Sequence, residues 1–330
     1  MRYKITVIKG DGIGPEVVNS ALEVISVLPV AFEFNFAEAG FSAYKKHGTS
    51  LPDETIKKIE KSDAVFFGAV TTPPKIKDFK SAIVSLRKYF DLYANLRPIK
   101  GIKNPRIDFV VIRENTEGLY TGAEYERDDA VVSERVISRE GSYRILRFAF
   151  EYAKQNKRKK LTAVHKANVI RKADGMFLEI AKELAEDFPE VEFEDRLVDS
   201  CAYQIVRRPE DFDVIVTANM FGDILSDLAG AVVEGLGVLP SANIGENIGV
   251  FEPVHGSAPK HKGKDKVNPT AAILAFAMLL DFLKEENYAD ILRNSVYSVI
   301  NSGYTTYDLG GSLSCSEFSK KVKNCLRKNL

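Results

Sequence analysis

Apolar runs and amphipathic stretches alternate from the start of the chain: KITVIKG, EVVNSALEVISVL, FEFNFAE, LPDETIKKIEKS and DAVFFGAV. A short β-rich run bounded by turn residues predicts a strand, and apolar positions at three- and four-residue spacing predict a helix. Their alternation predicts an α/β layer whose strands are joined by crossover helices. GDGIGPEV, Gly10 to Val17, links the first strand to the first helix. The glycines at 10, 12 and 14 depart from the GxGxxG dinucleotide fingerprint, because Pro15 takes the place of the third glycine. The segment therefore reads as a tight strand-to-helix turn with proline near the first helical position, not as a Rossmann phosphate loop.

From Ile107 the pattern changes to extended runs, IDFVVIREN and DAVVSERVIS. A helix follows near Ser142 to Gln155, with Ile145, Phe148, Ala149 and Tyr152 at helical spacing. KLTAVHK, a helix beginning near Gly175, VEFEDRLVD and DFDVIVTAN continue this second region. After Leu236 the chain reads as loop through PSANIGENIGVFEPVHGSAP, and NPTAAILAFAMLLDFL then reads as a buried helix. The division expected is a discontinuous first domain, 1–98 plus 236–330, and a second domain, 99–235.

Composition narrows the partners. The 330 residues carry 46 Lys+Arg against 46 Asp+Glu, so no global field draws nucleic acid or an anionic membrane, and a small molecule becomes the default ligand. The basic run from Lys154 to Lys160 lacks the interleaved aromatics of a single-strand nucleic-acid site. Cys201, Cys315 and Cys325 form neither a disulfide framework nor a zinc spacing, which fits a reducing cytosol. No signal peptide and no apolar run of membrane-spanning length is expected, so the protein reads as cytoplasmic.

The first chemical feature is the pair Asp223 and Asp227 in FGDILSD, which follows the strand DVIVTAN. At i and i+4 they share one helical face, where like charges repel unless neutralised. A hard divalent cation is one neutraliser; ordinary acidic residues at a helix N-terminus are the other reading. Arg87, Arg97 and Arg113 stand near strand or helix ends and offer the planar forks that a polycarboxylate needs, though each alone is simply a surface charge. Tyr120 and Lys166 are candidate proton carriers tunable by burial and neighbouring charge, and His165 reads as a satisfied strand residue.

Taken in order, GDGIGPE, SLRK, NLRP, RENTEGLY, HKAN, FGDILSD, SANIG, FEPVHGSAP and NPTAAIL resemble the β-decarboxylating dehydrogenases that act on isocitrate, homoisocitrate and 3-isopropylmalate, from residue 4 to about residue 320. The resemblance implies the two-domain, non-Rossmann α/β fold of isocitrate and isopropylmalate dehydrogenases, with cofactor loops in the discontinuous first domain and the dimer interface in the second. It implies that Arg87, Arg97 and Arg113 clamp substrate carboxylates. It implies that Asp223 and Asp227 bind Mg²⁺ or Mn²⁺ together with Asp199 of a second subunit. Lys166, also from that subunit, would assist loss of the hydroxyl proton, and Tyr120 would protonate the enolate carbon. A homodimer with shared active sites follows, with further pairing into tetramers left open. A catalytically silent regulatory subunit would lack some of these residues, and none is missing.

Two segments bear on the choice of ligand. The segment Lys80 to Arg87 resembles the helix facing the variable part of the substrate. Ser81 there matches a hydroxyl that holds a distal carboxylate, whereas Ile83 and Val84 would suit an isopropyl group. The reading taken is a 2-hydroxy tricarboxylate, isocitrate or homoisocitrate; the alternative is a 3-isopropylmalate dehydrogenase of leucine biosynthesis. A malate or tartrate enzyme fits less well, because those diacids have no distal carboxylate for Ser81 and Lys80. For the cofactor, the resemblance assigns His255, Gly256, Ser257, Ala258, Lys260, His261, Val267, Asn268 and Tyr307. Lys260 and His261 replace the Asp and Ile of NAD-using relatives, and Lys260 would attract a 2′-phosphate where Asp repels it. NADP is the expected cofactor, with NAD possible.

Overall fold

The computed structural model describes residues 2–76 and 79–330. In chain order the strands and helices begin with β1 (Arg2–Gly10), α1 (Gly14–Ile25), β2 (Ala31–Ala37), α2 (Phe41–His47), α3 (Asp53–Ile59), β3 (Ala64–Ala69) and α4 (Ala82–Tyr89). They continue with β4 (Ala94–Lys100), β5 (Asp108–Glu114), β6 (Glu124–Arg127), β7 (Ala130–Ser133), α5 (Arg139–Gln155), β8 (Lys160–His165), α6 (Ala173–Glu186), β9 (Glu192–Leu197), α7 (Val198–Arg207), β10 (Val214–Thr217) and α8 (Asn219–Val232). The last are β11 (Pro240–Ile244), β12 (Gly249–Pro253), α9 (Thr270–Phe282), α10 (Glu286–Asn301) and α11 (Cys315–Asn329). The chain divides into two compact units, Met1–Phe90 with Glu234–Leu330, and Asp91–Val233. The sequence boundary near Pro98 cuts through β4. That strand pairs antiparallel with β5 from Ala94↔Glu114 to Lys100↔Asp108, so it belongs wholly to the second unit.

In the first unit the strands run in the order β2, β1, β3, β12, β11, parallel except for β11. Every residue of β3, AVFFGA, is buried, as expected of a parallel strand covered on both faces. Helix α9 is buried over most of its length, and its Phe276 meets Phe66 edge-on at 5.2 Å and Phe32 at 5.5 Å. The segment read as loop after Leu236 contains a correction: SANI and GVFEP form an antiparallel pair of buried strands. Buried on both faces, they lack the alternation that marks a half-exposed strand, and their Gly, Pro and Asn content resembles a loop.

In the second unit the order is β4, β5, β10, β8, β9, with β4 antiparallel and the rest parallel. Helix α5 buries Ile145, Leu146, Ala149, Phe150 and Ala153, a stripe rotated from the one read in the sequence, because Phe150 stacks on Phe188 at 5.1 Å. Strands β6 and β7 form a separate two-stranded sheet with exposed Tyr125 and Val131. Among the described residues no helix is long and apolar enough to cross a membrane.

The GDGIGP turn behaves as the glycine spacing suggests. Gly10 and Gly12 have positive φ, and a Cβ on Gly12 would lie 1.9 Å from the carbonyl oxygen of Ser257. Between them Asp11 supplies what the glycine reading omits. Its carboxylate accepts from the backbone N–H of Phe41 (2.7 Å), Ser42 (2.8 Å) and Thr71 (2.9 Å), and from the Ser42 hydroxyl. Burial alone would raise its pKa; these hydrogen bonds outweigh burial and hold it below the ordinary aspartate value. Asp11→Ala leaves buried donors unpaired and is expected to cost about 3 kcal/mol of unfolding free energy at neutral pH. Because the folded pKa is depressed, Asp11's contribution is full above the unfolded aspartate value of about 3.9 and is lost as pH falls through the folded value. Urea unfolding of both proteins across pH 2.5–7, as a rough span, checks this: a pH-independent difference would contradict it.

Candidate functional site

In the second unit, β4, β5 and α8 bring four of the expected residues together. Arg113 ends β5 with 1% of its side chain exposed, and Arg97 on β4 is similarly buried. Helix α8 approaches β5 closely because Gly222 carries no side chain; a Cβ there would lie 2.7 Å from both Cβ and Cγ of Arg113. Arg113 donates through Nε (3.0 Å) and Nη2 (2.7 Å) to Asn219 Oδ1, and through Nη1 to Asp223. Arg97 donates through Nε to Asn95 (2.8 Å) and through Nη1 to Ser226 (2.7 Å). It also lies 3.2 Å from both Asp223 and Asp227.

Tyr120 sits in a one-turn helix, Leu119–Thr121, and donates its hydroxyl to Asp223 Oδ2 at 2.6 Å. Its ring centre lies 4.9 Å from the Arg113 guanidinium carbon. Burial, then the hydrogen bond to Asp223, push its pKa up, so the phenol stays protonated. The Asp227 carboxyl is also pushed up, by burial and by the charge on Asp223, against the opposing pull of Arg97.

The repulsion posed by Asp223 and Asp227 thus has an answer inside the chain: Arg97 and Arg113, far away in sequence, neutralise both carboxylates. A cation is not required for charge balance, so its fit rests on donor chemistry. Both side chains offer carboxylate oxygens one helical turn apart, and exposures of 34% and 54% leave part of each open to solvent. That set suits a hard divalent ion that keeps other ligands.

Lys166 and Asp199 stand apart from this group in the same unit. Lys166 follows β8, its backbone N–H donating to the buried Asp174, and its ammonium donates to Asp199 at 2.5 Å. Asp199 lies in the first turn of α7 and is 67% exposed; Lys166 holds its carboxyl below the usual range. Among the described residues, the three acids expected to bind metal form no cluster within one chain. His165 is satisfied by Asp195 and the Ala167 N–H.

In the first unit Arg87 occupies the last turn of α4, buried, with Nε on Asn243 Oδ1 (3.0 Å) and Nη2 3.4 Å from Glu252. Ser81 is the N-cap of α4 without a side-chain capping bond, while Ile83 and Val84 are half-buried. Among the residues expected to bind cofactor, Ser257 is buried, hydrogen-bonds Thr71 at 2.7 Å, and accepts the Ile13 N–H. His255 Nε2 is buried without a partner among the described residues, and burial lowers its pKa. Such an orphaned polar atom fits a site completed by a ligand. Beside it Gly256 and Ala258 are exposed, and Lys260 and His261, also exposed, make no ion pair among the described residues. Val267 is half-buried, and Tyr307 is 80% exposed. The Asn268 side chain is spent on Asp308 and on the Thr270 N–H.

Sequence reasoning passed over Asn95, Asn219, Ser226, Asn243 and Glu252. Their only signal was membership of the quoted stretches NLRP, DFDVIVTAN, FGDILSD, SANIG and FEPVHGSAP. The electrostatics can be tested directly. In the metal-free protein, carbon-detected NMR is expected to titrate Asp227 above the ordinary value of about 3.9, and Asp223→Asn is expected to lower that midpoint by removing a like charge. An unchanged midpoint would assign the shift to burial alone.

The whole chain has relatives among known proteins. Residues 4–322 match the family model described as isocitrate/isopropylmalate dehydrogenase. The homoisocitrate dehydrogenase of Methanocaldococcus jannaschii is 48% identical, covering 99% of each chain. The 3-isopropylmalate dehydrogenase of Archaeoglobus fulgidus is 46% identical over 98% of this chain and 99% of its own. The crystal structure of isocitrate dehydrogenase from Methylococcus capsulatus superposes with a TM-score of 0.95 at 42% identity, over 98% of this chain and 99% of that one.

Proposed function

The chain belongs to the isocitrate and isopropylmalate dehydrogenase family and is a nicotinamide-dependent decarboxylating dehydrogenase acting on a CH–OH group; from that premise we propose that it converts a 2-hydroxy tricarboxylate, isocitrate or homoisocitrate, to the 2-oxo acid and CO₂ with NADP. The observation that carries the reading is the convergence of two buried arginines and the Tyr120 hydroxyl on Asp223. Arg97 and Arg113 take substrate carboxylates, for which their planar forks are suited. Tyr120, kept protonated, holds a proton for the carbon that loses CO₂. Lys166 of a second copy assists loss of the hydroxyl proton. When bound, a divalent ion on Asp223, Asp227 and the second copy's Asp199 supplies Lewis-acid polarisation of the substrate's hydroxyl and adjacent carboxylate, and the nicotinamide supplies the hydride acceptor.

Ser81 supports the tricarboxylate, because its hydroxyl sits at a helix N-terminus without a capping role. The half-buried Ile83 and Val84 on the same helix favour the second reading, 3-isopropylmalate. Lys260, exposed and unpaired among the described residues, supports NADP. A homodimer with shared sites is supported by exposed Val131, Val169, Tyr203, Val206 and Ile224, all in the second unit.

Specificity constants for isocitrate, homoisocitrate, 3-isopropylmalate and D-malate, each with NAD or NADP and Mn²⁺, decide the substrate. A tricarboxylate with NADP is expected to rank highest, and 3-isopropylmalate in first place would overturn the reading of Ser81. Lys260→Asp is expected to shift the NADP:NAD ratio on the order of tenfold towards NAD. Shared sites are tested by pairing two inactive variants, Lys166→Met and Asp227→Asn. Random pairing restores about a quarter of wild-type activity if each site draws on both chains, and none if each chain is self-sufficient.

A further inference from the structure

Each of the three arginines is held in the same way. Arg87 Nε donates to Asn243 Oδ1 at 3.0 Å, Arg97 Nε to Asn95 Oδ1 at 2.8 Å, and Arg113 Nε to Asn219 Oδ1 at 3.0 Å. The three asparagines come from different elements, and each is at most 1% exposed. An Nε bond fixes the plane of the guanidinium, and the Nη groups meet Glu252 in Arg87, Ser226 and Asp227 in Arg97, and Asp223 and Asn219 itself in Arg113. A carboxylate would anchor Nε more strongly, and elsewhere the chain uses one: Arg147 Nε is held by Glu151 and Arg196 Nε by Glu194. Each of the three, however, already faces a carboxylate through Nη, and a second carboxylate at Nε would overcompensate its charge, whereas an amide anchor adds none.

We propose that Asn95, Asn219 and Asn243 are positioning residues that orient the substrate arginines through neutral amide oxygens, and so add no negative charge to that already set against them by Asp223, Asp227 and Glu252. The inference rests on Arg113 and its companions contacting substrate, as argued above. At Asn219 the second end of the amide is also used, since Nδ2 donates to the Glu117 carbonyl at 3.0 Å, just before the turn that carries Tyr120. Aspartate and alanine both lack that donor. Comparing the two therefore isolates the anchoring oxygen and its charge.

Asn219→Asp keeps an acceptor for Arg113 and adds a negative charge where a helix N-terminus welcomes it. Its melting temperature is expected above that of Asn219→Ala, because the anchor on Arg113 is kept, while the substrate KM rises on the order of tenfold through the added charge near the anion site. Asn219→Ala loses the anchor, with a lower melting temperature and a KM between those of wild type and Asn219→Asp. Of the two variants, the more stable one is thus expected to have the higher KM, which a merely structural asparagine would not produce. A KM for Asn219→Asp at or below that of Asn219→Ala overturns the proposal, because a better anchor would then outweigh the lost charge. If the alanine variant does not fold, Asn219→Asp decides against wild type: an unchanged KM overturns the proposal. Arg113→Gln is the control. If it raises KM while neither Asn219 variant does, only this proposal fails; if it leaves KM unchanged, the assignment of Arg113 to substrate fails first.

Discussion

The pairing of Arg113 with Asp223 is the interaction on which the polar arrangement of the second unit depends. A guanidinium with 1% of its side chain exposed must have partners for its donors, and removing one partner of such a pair costs several kcal/mol, typically about 3–5. The requirement reaches back into the fold. Helix α8 has to lie against β5 for Asp223 and Asn219 to meet Arg113, and Gly222 is the residue that permits that distance. The same contact places Asp223 under the Tyr120 hydroxyl, so a packing constraint and a chemical arrangement share one origin.

This origin explains what could be read from the sequence. Alternating strand and helix periods were legible because β1, α1, β2 and β3 follow simple burial patterns, and Pro15 marked the start of α1. The β11–β12 pair was not, since strands buried on both faces carry no alternation. The site shows the same division. Arginines, aspartates and Tyr120 stand out by chemical type and by motif. Asn95, Asn219 and Asn243 have no charge pattern, and their importance lies in Nε contacts that only the fold creates. The Asp223 and Asp227 pair looked incomplete for a related reason: periodicity shows neighbours along a helix, not arginines arriving from β4 and β5.

Those arginines alter how the proposed chemistry works. Arg97 spans Asp223 and Asp227 while Arg113 holds Asp223, so positive charge sits where a cation would bind. A divalent ion and these guanidinium groups compete for the same carboxylate oxygens. The proposed polycarboxylate substrate would resolve the competition, because it would offer the arginines new anionic partners and free the aspartates for the metal. In the proposed chemistry substrate and metal would each remove an obstacle to the other, and by linkage such a coupling would be mutual. Tyr120 is drawn into the exchange as well, since its raised pKa depends in part on an Asp223 carboxylate that the ion would claim. A divalent ion on Asp223 would share that carboxylate with the Tyr120 hydroxyl, so the proposed metal ligand and the proposed proton donor to carbon meet at one residue.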